Sequence, residues 1–250
     1  MNAVRATSVD LPCLLRVRDD AAVSDSNQPH AYRAIRQAIV EGRYRPGERL
    51  VEQRISNDLD ISRTPIREAL RSLEAEGLVV IAVNKGAVVR PIDVTEIEDL
   101  YELRAHLESY AAHRAVGRAG DDDLMVMDDA IAAFDRFIEP ASRGELRALR
   151  ELTEANSRFH SAILDAARHE RLAVLLRRAT DVPLVFQAFR HFDRPTMERS
   201  NVFHRLIRAA VGGDDPRRAE ALMAEHIHQG RDVLLAQLRD RGSVDALFDA

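Results

Sequence analysis

Ser62-Arg63-Thr64-Pro65-Ile66-Arg67-Glu68-Ala69-Leu70-Arg71 carries two signals at once. Ser62 and Thr64 can each cap a helix start, and Pro65 fits a first helical turn, where the amide hydrogen it lacks would have no partner. Ile66, Ala69, Leu70 and Leu73 recur at helical spacing and mark a narrow apolar stripe. Arg63, Arg67 and Arg71 step by four along a neighbouring face. A short helix with a buried stripe and a row of guanidinium groups suits the DNA major groove. Arginine grips phosphates, and its planar fork can bond both acceptors on a guanine edge.

The flanking sequence gives this helix its context. Residues 31 to 43 read as an amphipathic helix, with Tyr32, Ile35, Ala38 and Ile39 on one side and a break at Arg45-Pro46-Gly47. A second short helix, 52 to 59, offers Ile55 and Leu59. Only Asp60 and Ile61 separate it from Ser62, so two helices meet across a tight turn. Downstream, Gly77 can terminate the arginine-bearing helix. Two β-rich runs follow, 78 to 81 and 87 to 89, joined by Asn84-Lys85-Gly86, which supplies the positive φ of a tight hairpin. An arginine row by itself is more often a solvated face than a DNA contact. The short turn before it and the hairpin after it make the segment a winged helix-turn-helix of three helices plus a β-hairpin wing.

Charge is unevenly shared along the 250 residues. Residues 30 to 91 hold 11 Lys/Arg against 8 Asp/Glu, a net of +3, while the remainder holds 25 against 33, a net of −8. A basic head on an acidic body keeps the attraction for DNA local. The single cysteine, Cys13, excludes an internal disulfide and suits a reducing cytoplasm. No apolar run approaches the length of a membrane span. Residues 1 to 28 mix charges into short apolar stretches, which fits a disordered tail better than a signal peptide.

The body reads as helices throughout, near 94–118, 121–139, 144–168, 169–179, 183–192, 197–212 and 216–239, with breaks at glycines and prolines that include Pro140 to Gly144. β-Rich alternation is absent, so an all-α antiparallel bundle is expected over 93 to 240, followed by a short C-terminal tail, 241 to 250. Three histidines fall on inward faces of three different helices. His160 shares a face with Asn156, Phe159 and Ile163; His204 sits beside Phe203 and near Ile207; His226 continues a stripe of Ala219, Leu222 and Met223. His228 falls among Glu225, Arg231 and Asp232, on an outer face. An inward histidine is most often a satisfied core residue, but three converging imidazoles also suit zinc, nickel and similar ions.

The run RPGERLVEQRISNDLDISRTPIREALRSLEAEGLVVIAVNKGAVVRP resembles the DNA-binding domain of the GntR family of bacterial transcription regulators, and most of all its FadR-type branch, over residues 29 to 92. The resemblance implies DNA contacts from Arg63, Thr64 and Arg67, continued by Arg71 in the same row. Gly86 in the wing would approach the minor groove, and Arg54, or Gln53 beside it, would face a phosphate. Asp60 departs from the family, which usually has glycine there, although Asp tolerates the left-handed conformation better than most residues.

The body resembles the helical effector domain called FCD. Many FCD domains hold a divalent metal through one Asp or Asn and three histidines, the first ligand standing four residues before the first histidine. That pattern implies Asn156, His160, His204 (in FHRLIRAAVGGD) and His226 (in AEALMAEHI) as ligands, with zinc or nickel as the ion. A neutral amide at 156 binds a metal less strongly than a carboxylate. DLYELRAHLES matches the first FCD helix and places Arg104 near the effector. The implied protein is a cytoplasmic, non-enzymatic, homodimeric regulator of a near-palindromic operator, a repressor released by a small carboxylate. Two alternatives stay open: a metal-dependent enzyme using the histidine-lined pocket, and a metal-free effector-binding regulator.

Overall fold

A computed structural model describes residues 27–82, 86–179 and 182–248. Of the disordered tail expected over 1 to 28, residues 1 to 26 lie outside the described residues, as do Asn84 and Lys85 of the hairpin turn, while Asn27 and Gln28 belong to the first helix. The chain divides after Pro91 into two compact units.

In the first unit, α1 (Asn27–Val40) packs on α3 (Arg63–Ala75), with α2 (Glu52–Leu59) between them in sequence. The first helix begins four residues earlier than its apolar stripe suggests, because Pro29 is tolerated in a first turn. It also ends earlier than Arg45-Pro46-Gly47, because Gly42 takes φ +74 and turns the chain. α3 buries the expected stripe of Ile66, Ala69, Leu70 and Leu73 against Ile35, Ile39 and Ile55. The α2–α3 turn depends on Asp60, whose backbone is left-handed (φ 53, ψ 43) and whose N–H donates to Ser56 O. Ser56 returns its hydroxyl to Ile61 O at 2.6 Å, so the turn is closed by both backbone and side chain.

β2 (Val79–Ala82) and β3 (Gly86–Val89) form the wing hairpin, antiparallel with Val79 opposite Val89 and Ala82 opposite Gly86. The sheet has a third strand that the sequence does not suggest. β1 (Arg49–Leu50) pairs antiparallel with β3 and gives the order β1-β3-β2. Two residues are too few for an alternation signal, so only the pairing reveals this strand.

The second unit is helical among the described residues: α4 (Val94–Ala115), α5 (Asp121–Ser142), α6 (Leu146–Ala166), α7 (Glu170–Ala179), α8 (Val182–His191), α9 (Arg194–Val211) and α10 (Pro216–Arg241). α5 packs along α6 and α9, and α10 along α4 and α9. Pro140 does not break the chain as its sequence position suggests. α5 continues through it to Ser142, and the stop falls at Gly144, φ +82. The residues after α10 also differ from the tail expected there. A 3-10 turn, Asp245–Phe248, packs on α10 with Leu247 and Phe248 buried, and His191 Nε2 bonds Leu247 O at 3.0 Å.

Candidate DNA-reading face and histidine centre

Arg63, Thr64, Arg67 and Arg71 are all exposed on α3, and Arg54 is exposed on α2. Gly86 opens β3 at φ +75, where an added Cβ would lie 3.8 Å from the Arg49 guanidinium. Two of the α3 arginines share a carboxylate that sequence reading did not single out. Glu52, in the first turn of α2, accepts Arg63 Nη2 at 2.9 Å and Arg67 Nε at 2.8 Å on the same oxygen, Oε2. Partial burial would raise the Glu52 carboxyl, but the bonds from Arg63 and Arg67 outweigh it and hold it below its ordinary value.

In the body, α6 contributes His160, α9 His204 and α10 His226. Their Nε2 atoms converge: His226 Nε2 lies 3.2 Å from that of His160 and 3.1 Å from that of His204. The opposite ring nitrogens fix two of the tautomers. His160 Nδ1 meets Glu108 Oε2 at 2.5 Å, and His204 Nδ1 meets Asn201 Oδ1 at 3.0 Å. The Asn201 amide nitrogen in turn donates to Asp135 Oδ1 at 2.7 Å and to Ile131 O at 3.1 Å, which fixes its oxygen toward the ring. Both rings therefore carry hydrogen on Nδ1, which leaves Nε2 as the nitrogen able to offer a lone pair. His226 Nδ1 is buried with no hydrogen-bond partner.

Burial, and then the neighbouring rings, push His204 and His226 well below the ordinary histidine pKa, so both stand uncharged. Three imidazole nitrogens aimed at one point can share at most a proton among themselves. Their donor atoms, all within 4.8 Å of one another, fit a borderline-soft divalent cation such as zinc or nickel. The acceptors behind His160 and His204 are the outer shell such a site uses to orient its ligands.

Asn156, His160, His226 and Arg104 line one cavity, with an empty volume of about 360 Å³ including its open mouth. His204 lies behind it, ring to ring with Phe159 at 4.3 Å. Phe189 and Phe192 contribute apolar lining to the same cavity. Arg104 is buried, its Nε donating to Glu108 Oε1 at 2.9 Å and its guanidinium 5.1 Å above the Tyr101 ring. Burial would raise the Glu108 carboxyl, but the Arg104 and His160 charges and bonds overcome it and bring it down to about 2. One carboxylate thus joins the cavity's arginine to the histidine cluster. Sequence reading missed Glu108, Asn201 and Asp135. The signals available were the four-residue step from Arg104 to Glu108 within an apolar face and the three-residue step from Asn201 to His204.

A winged-helix head with exposed arginines, followed by a helical body with a histidine-lined cavity, is the make-up of a DNA-binding transcription regulator with an effector domain. Residues 27–89 match the family described as bacterial regulatory proteins, gntR family, and residues 99–229 match the FCD domain. The chain is 30% identical over 205 residues to the Nta operon transcriptional regulator of Aminobacter aminovorans, covering 82% of this chain and 92% of that protein. It is 26% identical over 204 residues to the HTH-type transcriptional repressor GlaR of Escherichia coli (strain K12), covering 78% and 90%. The solved structure of E. coli McbR/YncC superposes with a TM-score of 0.67 at 18% identity over 88% of this chain and all of that one, a likeness of fold. The protein belongs to the GntR family, in the FadR-type branch that carries an FCD domain.

Proposed function

We propose that this regulator is a metal-dependent repressor, released from a near-palindromic operator when a small carboxylate enters the cavity of the body. Residues 29 to 92 read the operator through Arg54, Arg63, Thr64, Arg67, Arg71 and the wing at Gly86; residues 93 to 240 bind the effector and a second copy of the chain. The observation that carries the reading is the convergence of three Nε2 atoms, two of them from histidines that line one cavity with a buried arginine.

His160, His204 and His226 would hold the ion, with the Asn156 side chain as a fourth donor. Zinc or nickel, when bound, supplies a fixed positive charge that attracts a carboxylate. Arg104, already desolvated and held by Glu108, pairs with a second acidic group on the effector. Phe189 and Phe192 exclude water and favour a small organic acid over a bare anion. Effector binding shifts the equilibrium only by its preference for one packing of the helices over another. Exposed Leu103 and Tyr110 on α4, with Val174 and Leu175 on the adjoining α7, supply an apolar face for a second copy. A symmetric dimer reads a symmetric operator. The cytoplasm, where the operator lies, is the place of action.

The test begins with full-length protein purified without a histidine tag. Metal analysis should find close to one divalent ion per chain, lost when His160 and His204 are replaced. A panel of small carboxylates should raise the unfolding temperature of the metal-loaded protein through mass action, and the same compounds should release an operator selected from random duplex DNA. Absence of a stoichiometric ion at adequate supply overturns the metal reading; stabilisation without operator release overturns the regulatory one.

A further inference from the structure

We infer that Glu52 is a specificity-determining residue: it holds the Arg67 fork in reading geometry and restrains Arg63 from gripping DNA indiscriminately. The inference rests on the reading of α3 as the groove-facing helix. An acidic residue in a first helical turn is commonplace, since it complements the helix dipole. Here the carboxylate does more. One oxygen, Oε2, accepts N–H groups from arginines 11 and 15 residues further along the chain, on a different helix.

The two arginines are engaged differently. Arg67 gives Glu52 only its Nε, at 2.8 Å, which leaves the two terminal nitrogens of its half-exposed side chain as an end-on fork for guanine O6 and N7. Arg63 gives Nε at 3.3 Å and Nη2 at 2.9 Å, so its whole side edge is taken up. A planar guanidinium held at one edge loses less freedom on binding, which favours the base it fits. The same carboxylate places negative charge on the face that meets phosphates. A duplex without the right base edge must therefore overcome repulsion with no compensating contact, which lowers non-specific binding in particular.

The test uses full-length wild type, E52Q, E52A and R67A. Each selects from a pool of random duplexes, and each is titrated against the wild-type winning duplex and a random duplex across a salt series. E52A should bind random duplex about 2- to 5-fold more tightly, with a salt slope steeper by about one, as freed arginines reach additional phosphates. Its ratio of selected to random affinity should fall at least about tenfold, within the range one base contact commands. E52Q, which keeps the side-chain shape, should shift the same way by less. R67A should lose affinity for the selected duplex. An unchanged ratio and unchanged motif in E52A and E52Q, with R67A impaired, overturns the inference alone. Equal weakening on both duplexes overturns it as well, since that is the mark of a merely structural role. If R67A is also unimpaired, the reading of α3 itself falls.

Discussion

Replacing Glu108 with Gln probes the histidine centre through the carboxylate bonded to His160 Nδ1. Glu108 Oε1 accepts Arg104 Nε at 2.9 Å, and Oε2 faces His160 Nδ1 at 2.5 Å. Arg104 and Glu108 are only 5% and 6% exposed, so water screens little of their attraction. A carboxamide cannot serve both partners: its oxygen accepts from one, its NH2 must face the other, and the charge is gone. If the oxygen stays with Arg104, His160 turns to the tautomer with hydrogen on Nε2 and no longer offers that lone pair to an ion. Loss of such an outer-shell partner weakens metal binding by about 10- to 100-fold, or about 1.4 to 2.8 kcal/mol. Removing one member of a buried ion pair costs about 3 to 5 kcal/mol of stability. E108Q, which keeps shape and one hydrogen bond, should fall toward the lower end. Competition with a chromophoric chelator gives the zinc and nickel affinities of tag-free protein, and urea unfolding of the same samples gives stability. Wild-type values in both measurements would refute the linkage drawn from Glu108 to the ion and to Arg104.

Four further outcomes follow from the same geometry. Arg67→Ala should cost about 1 to 3 kcal/mol in binding a selected operator and flatten one base preference; an unchanged motif by repeat selection would contradict the recognition-helix assignment. Asp60→Gly should preserve or raise the unfolding temperature while Asp60→Val lowers it, because left-handed backbone costs a β-branched residue about 1 to 3 kcal/mol; equal midpoints for the two variants would remove backbone strain as the cause. Leu73→Ala, at a fully buried site, should cost about 2 to 5 kcal/mol in denaturant unfolding, and a loss under 1 kcal/mol would contradict the head's packing. Chelator-treated protein should lose stability as pH falls below about 6.5. There His204 and His226, faced by His160, Glu108, Arg104 and Arg205, resist protons that the unfolded chain accepts, so the unfolded state binds more protons and gains. Stability in a His204→Gln, His226→Gln variant should respond less over the same range, and identical profiles would sink the attribution.

The head was legible in the sequence because its signals are local. The stripe from Ile66 to Leu73, the two-residue turn and the hairpin are set by residues close in the chain, and α2 appears at the boundaries its sequence suggests. Strand β1 was hidden because two residues have no periodicity of their own. Pro140 misled because a proline near the last turn removes only one hydrogen bond, while the αL position at Gly144 ends the helix. At the histidine centre, inward periodicity brought out His160, His204 and His226. Glu108, Asn201 and Asp135 did not stand out: the four-residue step from Arg104 to Glu108 and the three-residue step from Asn201 to His204 gain meaning only once packing brings α4, α5, α6 and α9 together.

The last of the three clustered histidines stands on α10, and the turn that packs on α10 and accepts the His191 bond through Leu247 O comes later still. Chain order therefore separates the two units in time. A nascent chain completes a head with its own apolar core long before His226 exists, and acquires the last of the cavity lining, Ile227, Gln229 and Gly230, only with α10. On the proposed reading, a frameshift or proteolytic cut between α9 and His226 would produce a different molecule from a simple loss of function: a fragment that keeps the winged-helix head with its exposed arginines and lacks the completed histidine cluster.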